Sequence, residues 1–188
     1  INGLTVQSTN ATYARCVEIR NESNNITIAN CNLKMPFMSG TSDVNGYIMV
    51  TNGTVSPSVY TNPGKNIVIK NNHMSAQIDG GPYYGIWLCN ETNGTSSTGY
   101  QVIENNIENV YYTFIHAVYT VETTIEKNRL HNDKHTRSGY LYGIYLYNYY
   151  TRCDAKINAN WLYEFNNLAT GGYDGRYPIY VYMYGASN

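Results

Sequence analysis

The densest run of ionisable side chains in the 188-residue sequence is His131-Asn132-Asp133-Lys134-His135-Thr136-Arg137. It places imidazole, carboxylate, ammonium and guanidinium groups side by side, the set needed to take a proton from carbon while neutralising an adjacent anion. A solvated turn has the same composition, so the run reads both as a catalytic candidate and as ordinary surface. Glu18 and Arg20 are a second acid and base, spaced so that both point to one side of an extended strand. His73 and His116 stand alone, and a lone histidine is more often structural than a ligand. The four cysteines (Cys16, Cys31, Cys89, Cys153) have neither Cys-x-x-Cys spacing nor a neighbouring histidine, which argues against zinc and for small structural thiols. No metal site is assigned from the sequence. Two glycine-rich runs, Asp79-Gly80-Gly81-Pro82 and Gly171-Gly172-Tyr173-Asp174-Gly175-Arg176, read as tight turns.

Twelve basic and thirteen acidic side chains give a formal net charge of -1. That balance argues against a nucleic-acid partner, because phosphate binding needs a concentrated basic patch. No run approaches the roughly 20 apolar residues that span a bilayer, so no membrane insertion is expected. The chain has 21 Tyr against 3 Phe and 2 Trp, and 26 Asn. This much aromatic side chain at so low a net charge excludes disorder for most of the chain. Abundant Asn, Thr, Ser and Tyr supply neutral hydrogen-bonding groups, which suits an extracellular or cell-surface protein. The N-terminus, Ile1-Asn2-Gly3-Leu4-Thr5-Val6, lacks a starting Met, a basic segment and an apolar segment, so a signal peptide is either absent or already removed. Sequons at Asn10, Asn21, Asn25, Asn52, Asn90 and Asn93 matter only in a glycosylating host.

The elements that must position these residues follow from an internal repeat. An apolar residue, two variable positions, Asn, one variable position and an apolar residue recur as Ile69-x-x-Asn72-x-Met74, Val102-x-x-Asn105-x-Ile107, Ile125-x-x-Asn128-x-Leu130 and Ile157-x-x-Asn160-x-Leu162. Ile28-x-x-Cys31-x-Leu33 and Ile1-x-x-Leu4-x-Val6 are earlier variants. First positions at 1, 28, 69, 102, 125 and 157 are 27, 41, 33, 23 and 32 residues apart, so the motif is regular and its spacing is not. Upstream of most copies lies a period-two pair: Val17/Ile19, Ile48/Val50, Ile86/Leu88, Ile115/Ala117, Ile144/Leu146 and finally Ile179/Val181. Alternation with β-branched residues on one parity predicts strands of about four residues with one buried face, and no 3.6-residue stripe supports a helix.

The Gly-Ile-x-Leu strands (Gly85-Ile86-Trp87-Leu88, Gly143-Ile144-Tyr145-Leu146) followed by Ile-x-x-Asn-x-Leu corners resemble the right-handed parallel β-helix of pectate-lyase-like proteins, over essentially the whole chain. The resemblance implies an all-β, single-stranded solenoid of about six coils, each giving one short strand to each of three parallel sheets. Residues 1–188 are then one β-helix domain. Because the chain starts inside a corner at Ile1 and ends just after a strand, the expectation is a segment of a longer β-helix, or ends capped by another copy. Asn72, Asn105, Asn128 and Asn160 are expected to form an inward ladder of scaffold amides, with Cys31 and Leu4 as apolar substitutes at its end.

Pectate-lyase-like proteins bind saccharides on the outer face of their first sheet, between long turns. In this chain the long segments lie there: 34–46, 51–65, 75–84, 89–98, 131–142 and 163–177. If Ile and Leu of those strands face inward, the outer column holds Glu18 and Arg20, Met49 and Thr51, Trp87 and Cys89, His116 and Val118, Tyr145 and Tyr147, and Tyr180 and Tyr182. Trp87, His116, Tyr145, Tyr147, Tyr180 and Tyr182 are the candidate substrate-binding residues, since aromatic faces stack on sugar C–H faces and phenols add hydroxyls. Packing of these rings under loops, or a subunit contact, are the competing readings. With one carboxylate, Glu18, in the column and no Asn-Thr-Asp, Asp-Asp or Gly-His-Gly motif, paired-carboxylate hydrolysis is not expected. Lyase chemistry would draw on Glu18, Arg20, His116, His131, Asp133, Lys134, His135 and Arg137, with Ca²⁺ as a possible partner in that case and otherwise no cofactor. The functional expectations are therefore polysaccharide or glycan recognition on the aromatic face, a structural, adhesin or phage tail-spike-like module associating through its ends or tyrosines, and a polysaccharide lyase.

Overall fold

The structure, a computed structural model, describes residues 1–20, 22–38, 44–51, 64–77, 81–89, 98–133, 139–149, 153–165 and 175–184. In chain order the strands are β1 (Thr5–Gln7), β2 (Arg15–Arg20), β3 (Thr27–Ala29), β4 (Asn32–Lys34), β5 (Gly46–Thr51), β6 (Val68–Lys70), β7 (His73–Ser75), β8 (Tyr84–Cys89) and β9 (Tyr100–Ile103). There follow β10 (Asn106–Glu108), β11 (Thr113–Val118), β12 (Thr123–Glu126), β13 (Arg129–His131), β14 (Leu141–Tyr149), β15 (Ala155–Asn158), β16 (Trp161–Tyr163) and β17 (Arg176–Tyr184). Every third strand joins the same sheet. Sheet 1 stacks β2-β5-β8-β11-β14-β17, sheet 2 β3-β6-β9-β12-β15 and sheet 3 β1-β4-β7-β10-β13-β16, with all pairings parallel. The chain is an all-β parallel β-helix of about six coils, as the repeat predicts.

Register follows the sequence motif residue for residue. Ile28, Ile69, Val102, Ile125 and Ile157 are stacked partners in sheet 2, and Val6, Leu33, Met74, Ile107, Leu130 and Leu162 in sheet 3. Ile48, Ile86, Ile115 and Ile144 stack in sheet 1 and are fully buried, so one column from each sheet fills the tube. At the rod's two ends the core-register residues Ile1 and Leu4, and Ile179 and Val181, are half exposed.

The corner between sheets 2 and 3 carries the asparagine ladder. Asn72 donates its backbone N–H and Nδ2 to Asn105 Oδ1 (3.0 and 2.9 Å), Asn105 does the same to Asn128 (both 3.0 Å), and Asn128 to Asn160 (3.0 and 2.9 Å). The second hydrogen of each amide reaches a carbonyl one coil back, at Ile28, Ile69, Val102 and Ile125. Cys31 ends the series by donating its N–H to Asn72 Oδ1 at 2.9 Å. The residue before each ladder position, Gly3, Asn30, Asn71, Glu104, Lys127 or Ala159, has φ between 51° and 69°. A left-handed residue there turns the chain through the corner, and only Gly3, Asn30 and Asn71 are of types that favour it.

One detail departs from strict alternation. In β8, Tyr84 and Trp87 lie outside with ring centroids 4.6 Å apart, while Gly85, Ile86 and Leu88 face inward. A Cβ on Gly85 would stand 2.4 Å from Phe114 O and 3.0 Å from Ile107 Cγ2, and one on Gly143 2.3 Å from Leu162 Cδ2. Gly85 sits between the buried rings of Tyr47 and Phe114, and Gly143 follows Phe114, so bulk alternates with its absence along one interior column. All four cysteines are free thiols, and burial raises Cys16 to about 11 and Cys89 to about 12, which leaves them inert.

Asn105→Ala should lower unfolding stability by about 3 kcal/mol in urea titrations, since it strands buried partners on both sides. Asn160→Ala, at a half-buried rung, should cost about 1 kcal/mol, and equal losses would contradict this account of the ladder.

Candidate functional site

The outer face of sheet 1 is built by the same register. Met49, Trp87, His116, Tyr145 and Tyr180 are successive strand partners, continuing from Glu18, and Val118, Tyr147 and Tyr182 run beside them with Cys89. The inward step at Gly85-Ile86 adds a third outward column that strict alternation misses: Arg15, Gly46, Tyr84, Thr113, Tyr142 and Tyr177. The face is thus wider and richer in tyrosine than expected.

Its character changes along the rod. At one end Glu18 is gripped by Arg15, by Arg20 (2.7 Å) and by the Thr51 hydroxyl (3.0 Å). Glu18 and Arg20 also line a hollow of about 350 Å³ with Ile1, Ser23, Asn25 and Ile26. In the middle, Met49, Tyr84, Trp87, Cys89, Val118 and Tyr119 form a second hydrophobic cluster outside the tube, packed by Tyr83, Tyr112 and Tyr147. Trp87 is 3% exposed and His116 7%, so these two rings are packed rather than displayed. His116 lies edge-on to Trp87 (4.6 Å, 79°) and flat against Tyr145 (4.5 Å, 8°). Toward the other end the tyrosines open to solvent: Tyr145, Tyr147, Tyr177 and Tyr180 are partly exposed and Tyr182 is 36% exposed. Tyr147 and Tyr182 stack at 5.2 Å and 6°, and Tyr142 and Tyr177 at 5.1 Å and 15°. Stacked rings cover each other's faces, so each pair offers outward mainly its edges and hydroxyls.

The electrostatics follow from these surroundings. Partial burial alone would raise the Glu18 carboxyl. Hydrogen bonds from Arg20 and Thr51, with the charges of Arg15 and Arg20, outweigh it and hold the group below the usual carboxylate range. Burial depresses His116 to about 3, and its Nδ1 has no hydrogen-bond partner among the described residues. Burial among neighbouring phenols raises Tyr145 to about 12 and also raises Tyr142, so both hydroxyls stay protonated at neutral pH.

The residues singled out from the sequence do not form one constellation. Glu18 and Arg20 are on the first strand of sheet 1, and His116 is three strands away. His131 ends β13 in sheet 3, with Asp133 two residues on, and Lys134, His135 and Arg137 lie outside the described residues. His131 instead meets Glu108 on the neighbouring strand (3.5 Å) and Glu164 one coil later (3.7 Å), two groups absent from the sequence expectations. The signal for them was the coil frame itself, because Glu108, His131 and Tyr163 occupy one register position. Among the described outward residues of sheet 1, Glu18 is the one carboxylate, and its oxygens are already engaged. Comparison with protein-family models, with curated proteins and with solved structures finds no match to this chain, so the face must be interpreted from its own chemistry.

His116 gives a pH-dependent stability with a defined sign. The unfolded imidazole takes a proton near 6.5 and the folded one only near 3, so its contribution is complete above about pH 6.5 and is lost as pH falls toward 3. His116→Phe should therefore outlast wild type in acid, by on the order of 3 kcal/mol at pH 4, with a smaller difference at pH 7. Denaturant titrations at the two pH values check this, and parallel losses in both proteins would refute it.

Proposed function

We propose that this chain is a carbohydrate-binding β-helix of the pectate-lyase-like kind, acting outside the cell or on its surface. In this reading a polysaccharide lies against the tyrosine end of sheet 1 and is held without being cleaved. The observation that carries the reading is the set Tyr142, Tyr145, Tyr147, Tyr177, Tyr180 and Tyr182, paired in register on two adjacent strands. Ring edges supply apolar contact and phenol hydroxyls supply donors and acceptors to sugar hydroxyls. Trp87 and His116 then act behind the surface, as the packing that fixes Tyr145. The engaged carboxylate of Glu18 and the neutral, buried imidazole of His116 support binding over turnover, since neither is poised to move a proton near pH 7.

A structural, adhesin or tail-spike-like role is the second reading, favoured by one observation: Ile1, Leu4, Ile179 and Val181 present half-exposed core positions at the two ends of the rod. Such apolar surfaces suit association with another copy.

A glycan array with neutral and uronate polysaccharides separates the readings. Tyr145→Ala/Tyr180→Ala and Tyr147→Ala/Tyr182→Ala should each weaken binding by about tenfold or more while the fold persists. Unchanged binding in both variants refutes the platform. Ultraviolet-absorbing unsaturated uronates would establish a lyase, and a stable trimer with no glycan hits would favour the structural module.

A further inference from the structure

We propose that His131, Asp133 and Glu164 bind a divalent transition-metal ion, with zinc the best fit, at the end of sheet 3 and apart from the tyrosine face. His131 Nδ1 lies 3.9 Å from Asp133 Oδ1 and 3.7 Å from Glu164 Oε2, and one ligand atom from each residue falls within 4.8 Å of the others. These separations are too long for hydrogen bonds. The two distances from Nδ1 are within about half an ångström of the roughly 3.4 Å expected between two ligands held about 2.1 Å from one tetrahedral ion, and the carboxylates would close on the ion by a side-chain rotation at the exposed Glu164.

The imidazole is the second observation. His131 is 9% exposed, and its Nδ1 is buried with no hydrogen-bond partner while it points at the two carboxylates. A buried nitrogen without a partner is costly, and an ion between it and the carboxylates removes that cost. The other nitrogen, Nε2, faces Glu108 Oε1 at 3.5 Å. With its ring hydrogen on Nε2, toward that carboxylate, His131 keeps the lone pair on Nδ1, the arrangement by which a carboxylate behind a ligating histidine orients it. Glu108 is itself fixed by His73 Nε2 (2.9 Å) and Asn106 Nδ2 (2.6 Å). The His131 ring is fixed by stacking on Tyr163 at 4.6 Å and 14°.

Asp133 is equally constrained. Its backbone N–H donates to Asn109 Oδ1 (2.9 Å) and its Oδ2 accepts from Asn109 Nδ2 (3.1 Å), which turns Oδ1 toward His131. Glu164 follows β16 and its side chain is 58% exposed, so it closes the site from the solvent side. One imidazole nitrogen with two carboxylate oxygens favours zinc, or cobalt or manganese, over the all-oxygen shells of calcium and magnesium. Three protein ligands leave a fourth position for water.

The test is calorimetric titration of the full chain, stripped with a chelator, by Zn²⁺ at about pH 7.5, with Co²⁺ absorbance reporting geometry. One ion should bind per chain with micromolar or tighter affinity and raise the melting temperature, while millimolar Ca²⁺ fails to displace it. Asp133→Asn and Glu164→Gln should each weaken binding at least about tenfold, and Glu108→Gln, a positioning change, by a similar factor. The exposed Glu164 keeps the test informative if the Asp133 variant folds poorly. Absence of saturable binding below about 100 μM overturns the proposal. So does affinity unchanged in both ligand variants.

Discussion

A chain that turns a corner inside its own core leaves peptide groups with no water to bond to, and the rest of this structure depends on how the ladder amides meet them. Asn105 and Asn128 each accept two hydrogen bonds from the previous coil and give others, to the next rung and to a carbonyl one coil back. An amide can do this because it carries acceptor and donors on one short planar group, and it does so only when coils are aligned to within a hydrogen bond's tolerance. The strands on either side of that corner, three or four residues long, keep the same alignment, and the parallel pairing of sheet 1 carries it to the outer face. The columns of the outer face are therefore set by polar bonds on the other side of the tube.

The interior column that alternates Tyr47, Gly85, Phe114 and Gly143 connects this scaffold to the face. A ring can occupy one coil because the next coil has no side chain there. The same local step turns Tyr84, Tyr142 and Tyr177 outward beside the column of Trp87, His116, Tyr145 and Tyr180, so packing inside the tube sets the width of the aromatic surface outside it. That surface grades from an ion pair at Glu18, through a dry middle, to open phenols. Residues that share a column consequently have unlike roles.

Most of the scaffold was legible in the sequence and much of the site was not, for physical reasons. Ile-x-x-Asn-x-Leu combines a period of two with an amide that has a single structural use, so strands, register and ladder could be read directly. The left-handed residues at the corner could not, because Glu104, Lys127 and Ala159 carry no preference for that conformation and are held in it by their neighbours. Tyrosine is ambiguous in principle: Tyr47 is inside the tube, Tyr84 is buried outside it and Tyr182 faces water. Alternation cannot distinguish those three environments. The burial of Trp87 and His116 depends on Tyr83, Tyr84 and Tyr112 folding over them, a tertiary event without a local signature. His131 and Asp133 were visible as a pair, but Glu164 becomes their neighbour only once coils are superposed.

The irregular spacing of the ladder has a mechanical consequence. Positions 31, 72, 105, 128 and 160 advance by 23 to 41 residues while each step adds the same increment of about 4.8 Å along the axis. A coil stripped from the stack by a pulling force would release roughly 80 to 140 Å of contour. The rod thus stores between about 16 and 29 times its own rise in each turn. Under tension it would lengthen in unequal steps, the size of each reporting which coil had let go.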